Sequence, residues 1–382
     1  MDLSVRKPPY VIPSYSLTGD LLSFMRCGLQ YRYGTLGRLP ATRPVQLWFG
    51  QFIHGVLEEA FLRYRANGEG RVVGNEELNE ILHLVARRLA ASGLRPRNRS
   101  LEEIGHDRAR TAVRQLGPEL FPIISQAEIP LNGTRHMRLD RWPKSLPRRE
   151  SDRYEMAGII DVITEVALDD PALRSNRIVS AILSALNEPL PAKFEVIVDY
   201  KGMRRPPTRT SRKAPDYWRI YEWQLQTYAT LRSLQPDARP VAAGVLLYLN
   251  ELRPSVGDIA ALRRELRSGL TDVAPQPGSN DEQFLNSEKS RGFVPDLSFN
   301  FRLKRALRIV PITHESQQDA AGNFDEVVLD IEIARAKERQ SPHIRQQWPR
   351  NPFDDATCVA CDWRTVCPAH PDVTTALPTE SA

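Results

Sequence analysis

The sequence has no long apolar run. Its longest wholly apolar stretch, residues 241–249, covers nine residues, whereas a helix that spans a bilayer needs about 20. The first fifteen residues contain no apolar segment of the kind that a secretory signal carries, so we expect none. With 41% hydrophobic and 26% charged residues in a chain of 382, the composition is typical of a soluble globular protein. We therefore expect a cytoplasmic protein without a membrane partner.

Lysine is also scarce, because only 8 of the 52 basic residues are lysines and the other 44 are arginines. No lysine follows a glycine, which excludes the Gly-Lys-Ser/Thr phosphate loop and an ATP-driven motor of that type. The net charge of +5 is compatible with nucleic-acid binding, but many cytosolic proteins have a similar charge. In such an arginine-rich chain, a lysine at a chemically special position needs its own explanation.

Cysteine is limited to four residues, which are Cys27 and the C-x2-C-x5-C set of Cys358, Cys361 and Cys367. Without a secretory signal, disulfides are not expected, and a C-x2-C pair with two further cysteines favours metal ligation. Four thiolates suit a tetrahedral zinc ion or an iron–sulfur cluster equally well, and the alternative is a chance grouping of buried cysteines. A metal site would join segments about 330 residues apart, restricting the unfolded chain by about 5–6 kcal/mol if it acts as a crosslink.

Hydrophobic periodicity predicts an α/β fold. The predicted helices cover residues 18–33, 46–65, 75–120, 217–234 and 324–340, and the predicted strands cover residues 122–131, 154–165, 194–201 and 242–250. Strands that alternate with helices favour a mixed central sheet. The 38-residue spacing between Asp161 and Asp199 is long for a plain hairpin and predicts an inserted helix near residues 177–186.

The predicted strand over residues 194–201 contains the first candidate chemistry. Alternation places Glu195, Asp199 and Lys201 on one face. A charged pair in an apolar strand is unfavourable unless its desolvation is offset, although a solvated strand end would also explain it. Glu195 should lie about 13 Å from Asp199, so we exclude it from the site.

Two further candidates are weak when taken singly. Asp161 ends the run GIID, where a turn aspartate is the common alternative. His54 lies on the apolar stripe of its predicted helix, where a buried histidine with a structural partner is the usual explanation.

Taken in order, these motifs resemble the PD-(D/E)XK nuclease superfamily in its RecB-like branch. The resemblance spans residues 16–370, and its Gln-x-x-x-Tyr signature puts Gln224 and Tyr228 on one helical face. The terminal cysteines resemble the iron–sulfur subset of this branch, which includes AddB-type recombination nucleases and nucleases of CRISPR adaptation. The motifs are CGLQYRYG with Cys27, GQFIHGVLEEAF with His54, GIIDVI with Asp161, VIVDYKG with Asp199 and Lys201, and QLQTY with Gln224 and Tyr228.

The resemblance implies a catalytic set and its cofactors. His54, Asp161, Asp199 and the backbone carbonyl of Tyr200 would hold one or two Mg²⁺ or Mn²⁺ ions, while Lys201 would position water or stabilise negative charge. Gln224 and Tyr228 would orient the site. Cys27, Cys358, Cys361 and Cys367 would hold a structural [4Fe–4S] cluster, with Zn²⁺ as the alternative.

The loop after Lys201 is expected to contact nucleic-acid phosphates, although a solvated charge run is the ordinary explanation of such a segment. Tyr221 is a candidate stacking surface or a packing residue, and Glu58 is expected on a solvated helix face. The basic residues of the loop are Arg204, Arg205, Arg209, Arg212 and Lys213.

The resemblance also implies a domain organisation. We expect a single nuclease domain over residues 1–370, with a cysteine cluster that joins its two ends, and a disordered tail over residues 371–382. The expected parts of the domain are a helical insertion over residues 66–121, a catalytic core over residues 122–250 and a cluster-binding region over residues 251–370.

The favoured function is a metal-dependent DNA nuclease, expected to be an exonuclease on single-stranded DNA or DNA ends, in repair, recombination or phage defence. Since no motor motif is present, a helicase or another repair or defence subunit is the expected partner. One alternative is an inactive DNA-binding scaffold of a helicase–nuclease complex. Another is a zinc-stapled DNA-binding protein, which leaves Asp161, Asp199 and Lys201 unexplained.

Overall fold

The computed structural model describes residues 12–39, 45–68, 70–147, 151–186, 189–208, 217–287, 297–341, 343–353 and 355–367. Within them, six strands form one sheet: β1 Ser14–Ser16, β2 Ile124–His136, β3 Arg153–Ala167, β4 Lys193–Lys201, β5 Val241–Tyr248 and β6 Leu307–Pro311. The helices are α1 Leu22–Arg26, α2 Gly28–Tyr31, α3 Val45–Ala66, α4 Asn75–Ala91, α5 Arg99–Leu120, α6 Pro171–Ser175, α7 Arg177–Ala185, α8 Tyr217–Ser233, α9 Val256–Arg267, α10 Asn280–Asn286, α11 Phe299–Ala306, α12 His314–Gln340, α13 Ile344–Gln347 and α14 Asp355–Val359.

The sheet is mixed, and strand β3 pairs with three other strands. β3 pairs antiparallel with β2 and β4 and parallel with β1, while β4 pairs parallel with β5 and β5 pairs antiparallel with β6. Helices cover both faces of the β4 region, so β4 is buried along nearly its whole length. This arrangement confirms the predicted α/β fold with a mixed central sheet between helices.

Two apolar cores lie on opposite faces of the sheet. The first, called here the α3-side core, contains apolar residues of α3, α4, α5 and α7 together with Val196 and Val198 of β4. The second, the α8-side core, contains residues of α1, α2, α8 and α12 together with Ile197 of β4. Because successive side chains of a strand point to opposite faces, β4 supplies both cores at once.

The structure differs from the sequence prediction in several places. The predicted helix over residues 75–120 is two helices, because Gly93 adopts a φ of +79° and Asn98 caps the next helix by accepting from the N–H of Leu101. Cys27 has an extended backbone that separates α1 from α2. Helix α12 begins at His314, ten residues before the predicted start. Strands β1 and β6 and helices α9, α10 and α11 were not predicted.

Backbone hydrogen bonds join the two ends of the described chain. The N–H of Leu29 donates to the carbonyl of Pro349 at 2.9 Å, and the N–H of Phe353 donates to the carbonyl of Arg26 at 2.9 Å. Trp348 is buried between Phe24 and Tyr31, with ring centroids 6.2 and 6.0 Å away. Its Nε1 donates to Glu338 at 2.6 Å. No helix in the described part of the chain is long and apolar enough to cross a membrane.

Trp348→Ala is expected to lower the free energy of unfolding by about 3–5 kcal/mol, because it leaves a cavity where the two chain ends meet. Urea denaturation followed by circular dichroism measures this change. Leu62→Ala, at a residue that is 51% exposed, serves as the control and should change stability by less than about 0.5 kcal/mol. Equal effects of the two substitutions would contradict a stabilising contact at Trp348.

Candidate metal and nucleic-acid site

His54 on α3 faces the end of β4. Its Nε2 lies 3.0 Å from the carbonyl oxygen of Tyr200, and its Nδ1 lies 3.6 Å from Oδ2 of Asp161. Burial lowers the pKa of His54, so the imidazole is neutral at neutral pH and has a nitrogen available as a metal ligand. The structure therefore brings together three of the predicted ligands.

Asp161 on β3 is held against the backbone of β4. Its Oδ2 accepts a hydrogen bond from the N–H of Tyr200 at 2.7 Å. Burial, and next the charge of Asp199, raise the pKa of Asp161. The ionised form of a carboxyl group in this environment has too little positive charge nearby to stabilise it. A bound cation would supply that charge.

Glu128 on β2 completes a group that the sequence analysis did not identify. Ligand atoms of His54, Glu128 and Asp161 all lie within 4.8 Å of one another. Loss of hydration, followed by the charges of Asp161 and Glu58, raises the pKa of Glu128 to about 7. Two carboxylates and an imidazole at this spacing are a ligand set for a divalent cation.

The backbone of Glu128 explains why its side chain reaches this group. Its φ is +50°, in the left-handed region that few residues other than glycine adopt. Ala127 packs against the α3-side core and Ile129 against the α8-side core, although residues two apart in a regular strand share a face. On β3, Ile160 and Val162 are likewise divided between the two cores. Both strands therefore change face at the metal-binding group.

Lys201 is fixed by three groups next to this set. Its Nζ lies 2.5 Å from Oδ2 of Asp199 and 2.9 Å from Oε1 of Gln224. The ring of Tyr221 lies beneath it, with 4.3 Å between Nζ and the ring centroid. Gln224 also donates through Nε2 to Oδ1 of Asp199 and to the hydroxyl of Tyr228, both at 3.1 Å. The predicted Gln-x-x-x-Tyr pair therefore orients Asp199 and Lys201 from α8.

Gly158 allows α8 to lie this close to β3. A Cβ atom added at Gly158 would lie 2.7 Å from Cε1 of Tyr228, nearer than real contacts allow. Helix α8 then brings Gln224 onto Asp199, and the two side chains are buried. A small residue is thus required three positions before Asp161.

Asp199 contacts Lys201 and lies in the same groove as the metal-binding group, and its role as a metal ligand stays a prediction. Among the described residues, the group that meets the 4.8 Å spacing contains Glu128 and does not include Asp199. Oδ1 of Asp199 accepts from Gln224, and Oδ2 lies against Lys201. Asp199 thus balances the charge of the catalytic candidate Lys201 at the border of the metal-binding group.

The metal-binding group and Asp199, Lys201, Gln224 and Tyr228 line one open groove with a volume of about 810 Å³. That volume lies within the range of about 300–1,000 Å³ typical of ligand-binding clefts. The groove continues from Asp161 along β3 to Ile159, Ala157 and Glu155, and reaches Ser16 at the end of β1. The candidate site is therefore one end of a longer surface.

The basic loop after Lys201 is mostly internal where the structure describes it. Arg205 is 4% exposed and donates to Asp272 and to the carbonyl of Leu307, the latter at 2.8 Å. Arg204 is half-buried and lies 2.6 Å from Glu265. The prediction that Arg205 contacts phosphate is therefore wrong, because its guanidinium is enclosed, and the charge of Arg204 is already balanced. Arg209, Arg212 and Lys213 lie outside the described residues.

The four cysteines lie near one another in the structure, although Cys27 comes from the start of the chain and the other three come from its end. Cys27, Cys358, Cys361 and Cys367 line one small cavity of about 30 Å³. Burial, with smaller contributions from the other three thiols, raises the pKa of Cys361. Within the described residues, however, the four sulfur atoms do not form a group with all members within 4.8 Å of one another. The cavity gathers the thiols without showing a closed metal site.

Comparison with known proteins supports the superfamily resemblance. Residues 19–172 match the family model of the PD-(D/E)XK nuclease superfamily. The matched stretch includes His54, Glu128 and Asp161 and ends before β4. Among solved structures, the crystal structure of SSO0001 is 11% identical in sequence to this chain. The match covers 90% of this chain and 95% of that chain, with a TM-score of 0.26. No curated protein matches this chain.

The affinity of the site for Mn²⁺ is expected to rise by at least about 10-fold between about pH 6 and pH 8, because Glu128 alone accounts for this factor and Asp161, whose pKa is also raised, adds to it. The carboxyl of Glu128, with a pKa of about 7, must lose its proton before it can bind the ion. Titration of free Mn²⁺ by electron paramagnetic resonance measures the affinity at each pH.

Glu128→Gln is expected to weaken Mn²⁺ binding and to reduce this pH dependence, leaving the part that comes from Asp161. Glu155→Gln, in the same groove but outside the ligand group, is the matched control and should retain the wild-type pH dependence. An unchanged pH dependence in Glu128→Gln would contradict the assignment of Glu128.

Proposed function

We propose that this protein is a metal-dependent nuclease that hydrolyses phosphodiester bonds in DNA. The observation that carries the proposal is the position of Lys201, whose ammonium group is held by Asp199 and Gln224 beside the His54, Glu128 and Asp161 group. Phosphoryl chemistry needs positive charge where negative charge develops on the phosphate, next to a site for a divalent cation. The match of residues 19–172 to the nuclease superfamily supports the same chemistry.

The residues that would hold the ion are His54, Glu128, Asp161 and the carbonyl oxygen of Tyr200. The donor set fits, because it is rich in oxygen, which suits Mg²⁺ or Mn²⁺, and its single imidazole favours Mn²⁺. His54 Nε2 and the carbonyl oxygen of Tyr200 are 3.0 Å apart, which is close enough for both atoms to bind one ion. When bound, a divalent ion supplies Lewis-acid stabilisation of the phosphate and lowers the pKa of water.

Lys201 would donate a hydrogen bond to the attacking water or to a phosphate oxygen. Its three fixed contacts reduce the loss of side-chain freedom when the phosphate arrives. Tyr228 and Gln224 maintain the direction of this ammonium group through their hydrogen bonds. Asp199 places a carboxylate beside the half-buried side chain of Lys201 as its ion-pair partner.

The proposed substrate is single-stranded DNA or a DNA end, and the proposed mode is exonucleolytic. The open groove of about 810 Å³ supports a strand that lies across the site. Because the sequence lacks a Gly-Lys-Ser/Thr loop, strand separation would come from a helicase or another repair or defence partner. The proposed pathways are recombination, repair and phage defence, in the RecB-like branch.

We further propose that the four cysteines hold a structural [4Fe–4S] cluster. They line one cavity, and the backbone of the C-x2-C pair forms a turn in which the N–H of Cys361 donates to the carbonyl of Cys358 at 3.1 Å. The preference for the cluster over zinc rests on the resemblance of Cys27 and the C-x2-C-x5-C set to the iron–sulfur subset of the RecB-like branch.

Lys201→Ala is expected to reduce cleavage of end-labelled single-stranded DNA in Mn²⁺ or Mg²⁺ by about 100-fold or more, because it removes a donor to the transition state. Its Mn²⁺ affinity, measured separately, should stay close to that of the wild type. Lys193→Ala changes an exposed lysine at the other end of β4 and should leave cleavage unchanged.

Cleavage that persists in Lys201→Ala would contradict the assigned role of Lys201. Wild-type protein that binds DNA and Mn²⁺ but cuts no substrate would favour an inactive DNA-binding scaffold. The position of the label in the products gives the polarity.

Anaerobically purified protein is expected to be brown, to absorb near about 400 nm and to contain about four iron atoms per chain. Cys361→Ala should lose the colour and the iron. Colourless protein with about one zinc ion per chain would contradict the cluster and support the zinc alternative.

A further inference from the structure

One half of the sheet face beside the site is not covered by any helix of the residues that the structure describes. Ile159, Ala157 and Glu155 of β3 face outward here, while their neighbours Ile160 and Met156 pack into the α8-side core. This half begins where β2 and β3 change face, at Glu128 and Asp161. The change of face therefore produces both the ligand group and an open floor that leads away from it.

Between Glu128 and Glu155, the floor consists of uncharged side chains. Register places Pro130 opposite Ile159 and Asn132 opposite Ala157, and Ala157 also pairs with Ser16 of β1. Ile159 is 55% exposed, although it lies two residues from Asp161. Its cross-strand partner Pro130 is exposed as well, so the two side chains form one small apolar surface beside the polar site.

Charge on this floor is unfavourable for phosphates. Among the described residues that line the groove, none is an arginine, and its one lysine, Lys201, lies at the far end against Asp199. The ionisable groups along the floor are Glu128 and Glu155. A phosphate placed here would be repelled, whereas the flat apolar face of a nucleobase would bury surface against Ile159 and Pro130.

We propose that the exposed sheet face around Ile159 and Pro130 is a nucleobase-binding floor that admits single-stranded DNA by its bases. This inference rests on the proposed nuclease function and adds to it the residue that selects the single strand. The scissile phosphate lies at Lys201 and the metal ligands, and the bases next to it lie on Ile159. A duplex cannot bind in this manner, because its bases are stacked and paired inside the helix.

Ile159→Ala is expected to weaken binding of a short single-stranded oligonucleotide about 10-fold. The binding measurement uses fluorescence anisotropy in the presence of Ca²⁺ and in a Lys201→Ala background, so that cleavage does not interfere. Ile104→Ala, a matched substitution of a 41% exposed isoleucine on α5, should have no effect. The second substrate is the same oligonucleotide with abasic sites next to the scissile position.

The abasic oligonucleotide should bind about 10-fold more weakly than the intact one to the Lys201→Ala protein that retains Ile159. Adding Ile159→Ala should not weaken the binding of the abasic oligonucleotide further, because both changes remove the same contact. Independent, additive losses would overturn the proposal, as would unchanged binding in Ile159→Ala. A wild-type protein that fails to cut DNA but shows this non-additivity would refute the proposed catalysis and retain the floor. Cleavage without any effect at Ile159 would refute the floor alone.

Discussion

The site depends on a lysine–aspartate pair that is buried in the sheet between two helical layers. Asp199 is 4% exposed and its partner Lys201 is half-buried, so both have lost much of their hydration, which is unfavourable unless each has a polar partner. Gln224 satisfies both at once, since its amide oxygen accepts from Lys201 and its nitrogen donates to Asp199. Helix α8 can supply Gln224 only because Gly158 lets it approach β3. The geometry of the sheet, Gly158 and the amide of Gln224 are therefore all needed to hold the lysine–aspartate pair in place.

Residues of the site could be found from sequence where the chemistry follows the regular period of a strand or helix. Asp199 and Lys201 are two apart on a strand, and Gln224 and Tyr228 are four apart on a helix, so each pair shares a face. Glu128 could not be found in this way, because its φ of +50° breaks the strand period. The role of Arg205 was also hidden, since its partner Asp272 comes from a distant segment. A run of arginines does not show which of them are enclosed.

The elements of the fold also divide into those that local sequence patterns determine and those that contacts between distant segments determine. The core strands β3, β4 and β5 and the helices α3 and α8 have strong local patterns and lie close to their predicted bounds. Strand β6 has only five residues, and its pairing with β5 determines it. The predicted helix at residues 18–33 is interrupted because Cys27 is extended, where the chain hydrogen-bonds to Pro349 and Asn351. Tertiary contacts thus decided the elements that periodicity could not predict.

Electrostatics connect substrate binding to the cation in the proposed nuclease. The groove contains four carboxyl groups, those of Glu128, Glu155, Asp161 and Asp199, against the single ammonium of Lys201 among its described residues. The pKa of about 7 at Glu128 reflects first its loss of hydration and then the nearby negative charges, which attract a proton. The same field repels a phosphate until a divalent cation reverses it. The residues of the groove therefore make phosphate binding and catalysis depend on one ion, while the neutral floor around Ile159 can attract bases without it.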